Sequence, residues 1–122
     1  MKKYMRIQGR EIAYKTGKPV GLFVLNWRKI RDGIYSDEDV GLYDETHKWF
    51  LEFLPEPPFY GDDNDNPRGV VTYFKTENYE AMREKSEILM GLLDKYKIPY
   101  DIVFTDYVGE IIYEDEYQAA VI

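Results

Sequence analysis

Apolar residues recur at spacings of three and four along the first half of the chain. Val20, Phe23, Trp27, Ile30 and Ile34 fall on one face of a helix, and Arg28, Lys29 and Arg31 form its wet side. Gly33 supplies the left-handed residue that ends this helix, and Ile34 after it folds back as the apolar contact of a Schellman motif. Ser36 then caps a second helix. Its first turn carries Asp37, Glu38 and Asp39, where the helix macrodipole favours acids. Val40, Tyr43, His47, Phe50 and Leu54 repeat the three-four spacing, and Pro55 ends the run. The pattern predicts a helical hairpin.

Strand signals flank that hairpin. Residues 4–15 alternate loosely around Gln8-Gly9, which predicts two short strands about a turn, and Gly17-Lys18-Pro19 breaks the chain after them. Beyond the hairpin, residues 55–58 (Pro-Glu-Pro-Pro) predict an extended stretch, and residues 61–67 (Gly-Asp-Asp-Asn-Asp-Asn-Pro) a loop. Residues 70–74 are β-branched and aromatic, as in a strand. Thr76 caps a helix running to about Tyr96, with Met82, Leu89, Leu92, Leu93 and Tyr96 buried, and Pro99 stops it. A strand over 100–105 completes a strand-helix-strand unit of crossover size. Residues 110–113 and 117–122 form a hairpin through Glu114-Asp115-Glu116. The fold class expected is α+β, one domain over residues 1–122. N-terminal short strands and a helical hairpin precede the strand-helix-strand unit and C-terminal hairpin of a small mixed sheet.

Composition fits a folded chain and narrows its chemistry. Of 122 residues, 44% are hydrophobic and 16% aromatic, richer in aromatics than disordered segments allow. There is no cysteine, which excludes disulfides, thiolate metal sites and cysteine nucleophiles. The longest apolar run, over residues 20–25, is far short of the ~20 residues of a membrane span, and the N-terminus lacks the apolar region of a signal peptide. The expected setting is cytoplasmic, with no membrane contact.

Charge divides the chain. Residues 1–31 hold nine Lys or Arg against one acid, Glu11, a net +8, and the remainder carries seven bases against twenty-two acids, a net −15. Such asymmetry marks either a polyanion-binding arm or a basic segment packed on an acidic body. Attraction between opposite segments favours the packed arrangement.

Candidate chemistry is sparse. His47 is the single histidine, so a metal site built on several imidazoles is excluded, and its place on an apolar helical stripe suits a partly buried ring. The serines, Ser36 and Ser86, fall at a cap and inside a helix, away from any nucleophile turn. Asp62, Asn64, Asp65 and Asn66 approximate a calcium loop, but Pro67 and Tyr73 occupy the positions that require glycine and glutamate. Gly17-Lys18 lacks the rest of a phosphate loop. Glu110, Glu114, Asp115 and Glu116 would serve an enzyme, with His47, only in a cleft that sets their proton affinities apart. A charged hairpin tip that blocks edge pairing accounts for them more simply. Lys2, Lys3, Arg6, Arg10, Lys15 and Lys18 form a basic patch which, with Tyr4, Tyr14 and Trp27, suits single-stranded nucleic acid, but the acidic body repels a phosphate backbone. Pro55 to Pro58 has the spacing read by proline-recognition domains, and a stiff connector explains it equally.

Three segments carry a resemblance: Leu54-Pro55-Glu56-Pro57-Pro58-Phe59-Tyr60, Thr72-Tyr73-Phe74-Lys75, and Ile112-Tyr113-Glu114-Asp115-Glu116-Tyr117-Gln118. Together they resemble a family of small uncharacterised bacterial and phage proteins, over the chain from about Gly21 onward. The resemblance implies a shared fold and supplies no catalytic residues. The leading expectation is a non-catalytic protein of inhibitor, immunity or phage accessory type, which needs no cofactor or metal. Its acidic hairpin, with Tyr113, Tyr117, Glu114, Asp115 and Glu116, would contact a protein partner, since tyrosine gives large contact area at small entropy cost. A homo-oligomer is compatible with this. The alternatives are a small enzyme or nucleotide-binding protein using His47 and the hairpin carboxylates, and nucleic-acid binding through the basic segment.

Overall fold

The computed structural model describes residues 1–55 and 68–122. The expected polyproline stretch, the acidic loop with its calcium-like residues and most of the proline-spacing motif therefore lie outside the described residues. Among those described, the chain is α+β. The order is β1 (Tyr4–Ile12), β2 (Pro19–Gly21), α1 (Leu22–Arg31), α2 (Asp37–Phe53), β3 (Val71–Lys75), a 3₁₀ turn (Thr76–Asn78), α3 (Glu80–Lys95), β4 (Tyr100–Thr105), β5 (Ile111–Glu114) and β6 (Gln118–Val121).

β1 is the hub of the sheet. It pairs with β4 from Tyr4↔Thr105 to Gly9↔Tyr100. Tyr4 and Met5 also face Lys75 and Phe74 of β3, while Gln8 and Ile12 face Gly21 and Pro19 of β2. Since Tyr4 and Gln8 each have two partners, β3 and β2 share one edge of β1 and β4 takes the other. From β3 the sheet continues to β6 and then β5. All these pairings are antiparallel, which corrects the expected mixed sheet. The strand-helix-strand unit exists, but β1 lies between β3 and β4, so these two parallel strands never touch.

Two further expectations change for one physical reason. Residues 4–12 form one strand and not two around Gln8-Gly9, and α1 begins at Leu22, because Val20 belongs to β2. Gly9 lies against α1: a Cβ there would stand 2.7 Å from Cδ2 of Leu25, which is 1% exposed. The glycine is a point of close approach, so the strand runs through it. With α1 held this way, its buried residues are Leu22, Leu25 and Asn26, with Phe23 and Ile30 partly covered, and Trp27 and Ile34 turn outward. Arg28 and Lys29, expected in solvent, are largely covered and pair with Glu11 of β1.

The helices cover one face of the sheet. Met5 and Ile7 of β1 and Phe74 of β3 meet Leu22, Leu25, Tyr43, Phe50, Met82, Leu89, Leu92 and Leu93 in the main core. The hydroxyl of Tyr35 donates to Oδ1 of Asn26 at 2.6 Å, and Asn26 Nδ2 donates to the Leu22 carbonyl at 3.0 Å, so this buried polar pair is mutually satisfied. On the other face, Val108 from the β4–β5 connection covers Val71 and Val121 beside Tyr4 and Tyr73.

Helix ends follow the residues that form them. Ser36 Oγ accepts from the Asp39 amide at 3.2 Å, as an N-cap should. α1 closes on Gly33, at φ 73°, with Ile34 N–H donating to the Lys29 carbonyl and Gly33 N–H to that of Ile30, the paired bonds of a Schellman motif. α3 ends the same way, but its left-handed residue is Lys97, at φ 57°. A side chain there costs energy that glycine avoids. Lys97→Gly is therefore expected to raise unfolding free energy by about 0.5–1 kcal/mol, and Gly9→Val to lower it by about 1–3 kcal/mol by overpacking Leu25. Urea unfolding of both variants measures each change.

Candidate functional site

The expected interaction residues of the C-terminal hairpin are tied to one another. Asp115 Oδ1 accepts from the amides of Tyr117 at 2.8 Å and Gln118 at 3.1 Å, and Oδ2 accepts from the Tyr113 hydroxyl at 2.8 Å and Gln118 Nε2 at 3.1 Å. Burial works to raise the Asp115 carboxyl, but these donors outweigh it and hold the group below its usual range. Glu114 pairs with Lys75 at 3.0 Å. Tyr117 packs on Phe53, which stacks on Trp49, so its ring is shared with α2. Glu116 and Glu110 expose their side chains and use their carbonyls to accept from Asn78 and Ile122. Asp115 thus organises the turn of the hairpin.

His47 lies in a different setting. Its half-buried ring stacks on Tyr43, with centroids 5.3 Å apart, and tilts against Phe23 at 5.6 Å. Burial lowers its proton affinity, and Asp44 opposes that only in part. Its ring neighbours are aromatic, whereas the side-chain partners of Asp115 and Glu114 are Tyr113, Gln118 and Lys75. Among the described residues no group of three or more His, Asp or Glu side chains is placed to hold a metal ion.

The basic residues are built into the sheet and its rim. Lys2 pairs with Asp106 at 3.5 Å, and the Lys3 amide donates to the same carboxylate at 2.9 Å. Arg6 donates to Gln8 and to the Pro19 carbonyl, and sits over the Tyr73 ring. Arg10 reaches Asp101 at 3.4 Å. Lys15 and Lys18 lie in the β1–β2 connection, where the Lys18 carbonyl accepts from the Ala13 amide. A cavity of about 270 Å³ opens among Lys2, Lys3, Tyr4, Lys75, Glu77 and Glu114. Two of its three lysines already hold carboxylates.

The sheet edges differ in a way the residue pattern did not reveal. β5 is four residues long, is interrupted by a register shift between Ile111 and Tyr113, and has Glu110 just before it and Glu114 at its end. Short length, a bulge and flanking charge are the devices that protect an edge from pairing. β4 is longer and unbulged, and its acids, Asp101 within it and Asp106 just after it, are paired with Arg10 and Lys2. Its six residues pair with β1 in unbroken register and contain no proline, lysine or glycine. Phe104 stands opposite Met5, and Ile102 opposite Ile7, so both lie on the helix-covered face. Met5 and Ile7 are buried, yet Phe104 is 54% and Ile102 46% exposed. Helix cover reaches Tyr100, which packs against the core and donates to Asp94 of α3 at 3.3 Å, but not Ile102 and Phe104, so among the described residues β4 has an open backbone edge and two bare apolar side chains.

No protein-family model matches the sequence, and searches of curated proteins and of solved structures likewise find no match. The reading of the site rests on its geometry.

Ile102 and Phe104 are the residues that sequence reasoning missed. Alternation marked a strand, but only its position outside β1 exposes its apolar face. For the hairpin, Asp115→Ala is expected to lower unfolding free energy by about 1–3 kcal/mol, because four donors lose their acceptor. Urea unfolding measures the loss. The depressed Asp115 carboxyl gives stability that is complete above the ordinary carboxylate range and lost as pH falls through its lowered value, so this part of the acid limb should vanish in the variant. His47, also depressed, should titrate below 6.5 by NMR, with stability declining as pH drops below the unfolded value.

Proposed function

We propose that this protein acts through contact with another polypeptide, which adds a strand along the outer edge of β4. The observation that carries the reading is the pairing-competent edge beside the half-exposed Ile102 and Phe104. Strand addition takes affinity from main-chain hydrogen bonds and specificity from alternate side chains, and β4 offers both. The reading keeps the expectation of an interaction protein of inhibitor, immunity or phage accessory type in a cytoplasmic setting, and moves its surface from the acidic hairpin to the sheet edge. The engagement of Asp115, Tyr113 and Tyr117 within their own hairpin supports that move.

The competing enzyme reading needs His47 and the hairpin carboxylates to converge. Their separate neighbours, aromatic rings for one and hairpin groups for the others, favour the binding reading. Nucleic-acid binding needs basic side chains available to phosphates, and Lys2 and Arg10 already hold carboxylates.

Selection from a random peptide library tests the proposal. Extended binders with apolar residues at alternate positions are expected, shifting NMR signals of β4 and losing at least tenfold in affinity to an Ile102→Lys/Phe104→Glu double variant that keeps the wild-type fold. Binders that map to another surface, or that hold the variant equally well, would overturn it.

A further inference from the structure

We infer that the occupant of the β4 edge is a second copy of this chain, an inference that rests on the reading of that edge as the binding site. A two-fold axis perpendicular to the sheet sets two β4 strands antiparallel and keeps both helix-covered faces on the same side, giving one continuous sheet. Directly opposed residues then share a face, which allows only registers in which one residue of β4 faces itself.

The side chains favour the register centred on Ile102. It places Ile102 against its own copy and Phe104 against Tyr100, twice by symmetry. All three residues of the helix-covered face then meet apolar partners, and aromatic cross-strand pairs of this kind stabilise a sheet. Centring on Val103 would instead set Tyr100 opposite Asp106. An isologous contact demands such self-complementarity, and a strand with an apolar residue at every second position on one face provides it.

Charge permits the approach. Each chain carries a net −7, which repels a copy at long range. Along this edge, however, Asp101 is held by Arg10 and Asp106 by Lys2, so the acids nearest the seam are compensated within their own chain. The opposite edge, β5, has Glu110 and Glu114 beside it, of which Glu114 holds Lys75.

Light scattering over a concentration series, joined to cross-linking, tests the inference. The wild-type chain is expected to be a dimer at micromolar concentration, and Phe104→Glu a folded monomer with association weakened at least tenfold. Because the chain lacks cysteine, Ile102→Cys introduces a single thiol, which should form an intermolecular disulfide under mild oxidation. Leu51→Cys, exposed on α2, should not. A monomer at every concentration would overturn the inference, as would a dimer that survives Phe104→Glu without Ile102→Cys cross-linking. If the chain is monomeric while selected peptides still bind β4, the inference of a second copy fails and the reading of the edge stands. If those peptides bind elsewhere, both fail.

Discussion

The fold depends on β1 lying in the centre of the sheet with a helix seated on it. Gly9 lets Leu25 press directly onto the strand backbone, and that contact sets the rotation of α1 about its axis. Once Leu25 points inward, Leu22 and Asn26 follow and Trp27 must face out, with Arg31 over its ring at 5.3 Å. The same contact brings Arg28 and Lys29 of α1 over Glu11 of β1. The Lys29 ammonium and Arg28 guanidinium hold the Glu11 carboxyl below its usual range against its partial burial. One small residue in the middle of a strand thus determines what α1 buries, what it exposes and where its charges find partners.

A central basic strand also resolves the division of charge along the chain. The +8 segment contains β1, β2 and α1, so it is the core of the sheet and part of its cover, not a free arm. Its single acid neutralises two of its bases, and two more reach Asp101 and Asp106 in and beside β4. Around the sheet, Asp39 of α2 is tied to α3 by Lys95 at 2.8 Å and by the Tyr96 hydroxyl, which hold its carboxyl below the usual range. Tyr96 also stacks on Tyr35, whose hydroxyl satisfies Asn26, so the α1–α2 connection is fastened to the end of α3. Much of the polar content read as candidate chemistry is framework holding the elements in place.

What the sequence made legible was local. The N-cap at Ser36, the Schellman end at Gly33, the buried face of α3 and the bounds of β4 follow from residue type and spacing, and each appears where those features put it. What escaped were contacts between distant segments. Gln8-Gly9 reads as a turn until Leu25, sixteen residues later, occupies the space above it. Asp115 reads as part of a solvated tip until the turn closes and aims four donors at it. The strand-helix-strand unit reads as a parallel pair until β1, from the start of the chain, lies between its strands. The signal for that insertion was present in the alternation of β1, but nothing local says which strands a strand will join.

That insertion also creates the candidate site. A crossover that delivers β4 beside β3 would have placed it under the helix layer, with its apolar face covered like that of Phe74. Because β1 occupies the intervening position, β4 is displaced by one strand, and the cover that buries Met5 and Ile7 ends before it reaches Phe104 and Ile102. Beyond Tyr100, which packs against the core, β4 retains the composition of an inward-facing strand at positions that the helices do not cover among the described residues. An edge so composed is a liability in a solitary domain and an asset where pairing is the function. The short, bulged β5 shows that the opposite edge of this sheet carries protection that β4 lacks. The contrast within one sheet, more than the apolar residues alone, is what supports the proposal that β4 is a binding edge.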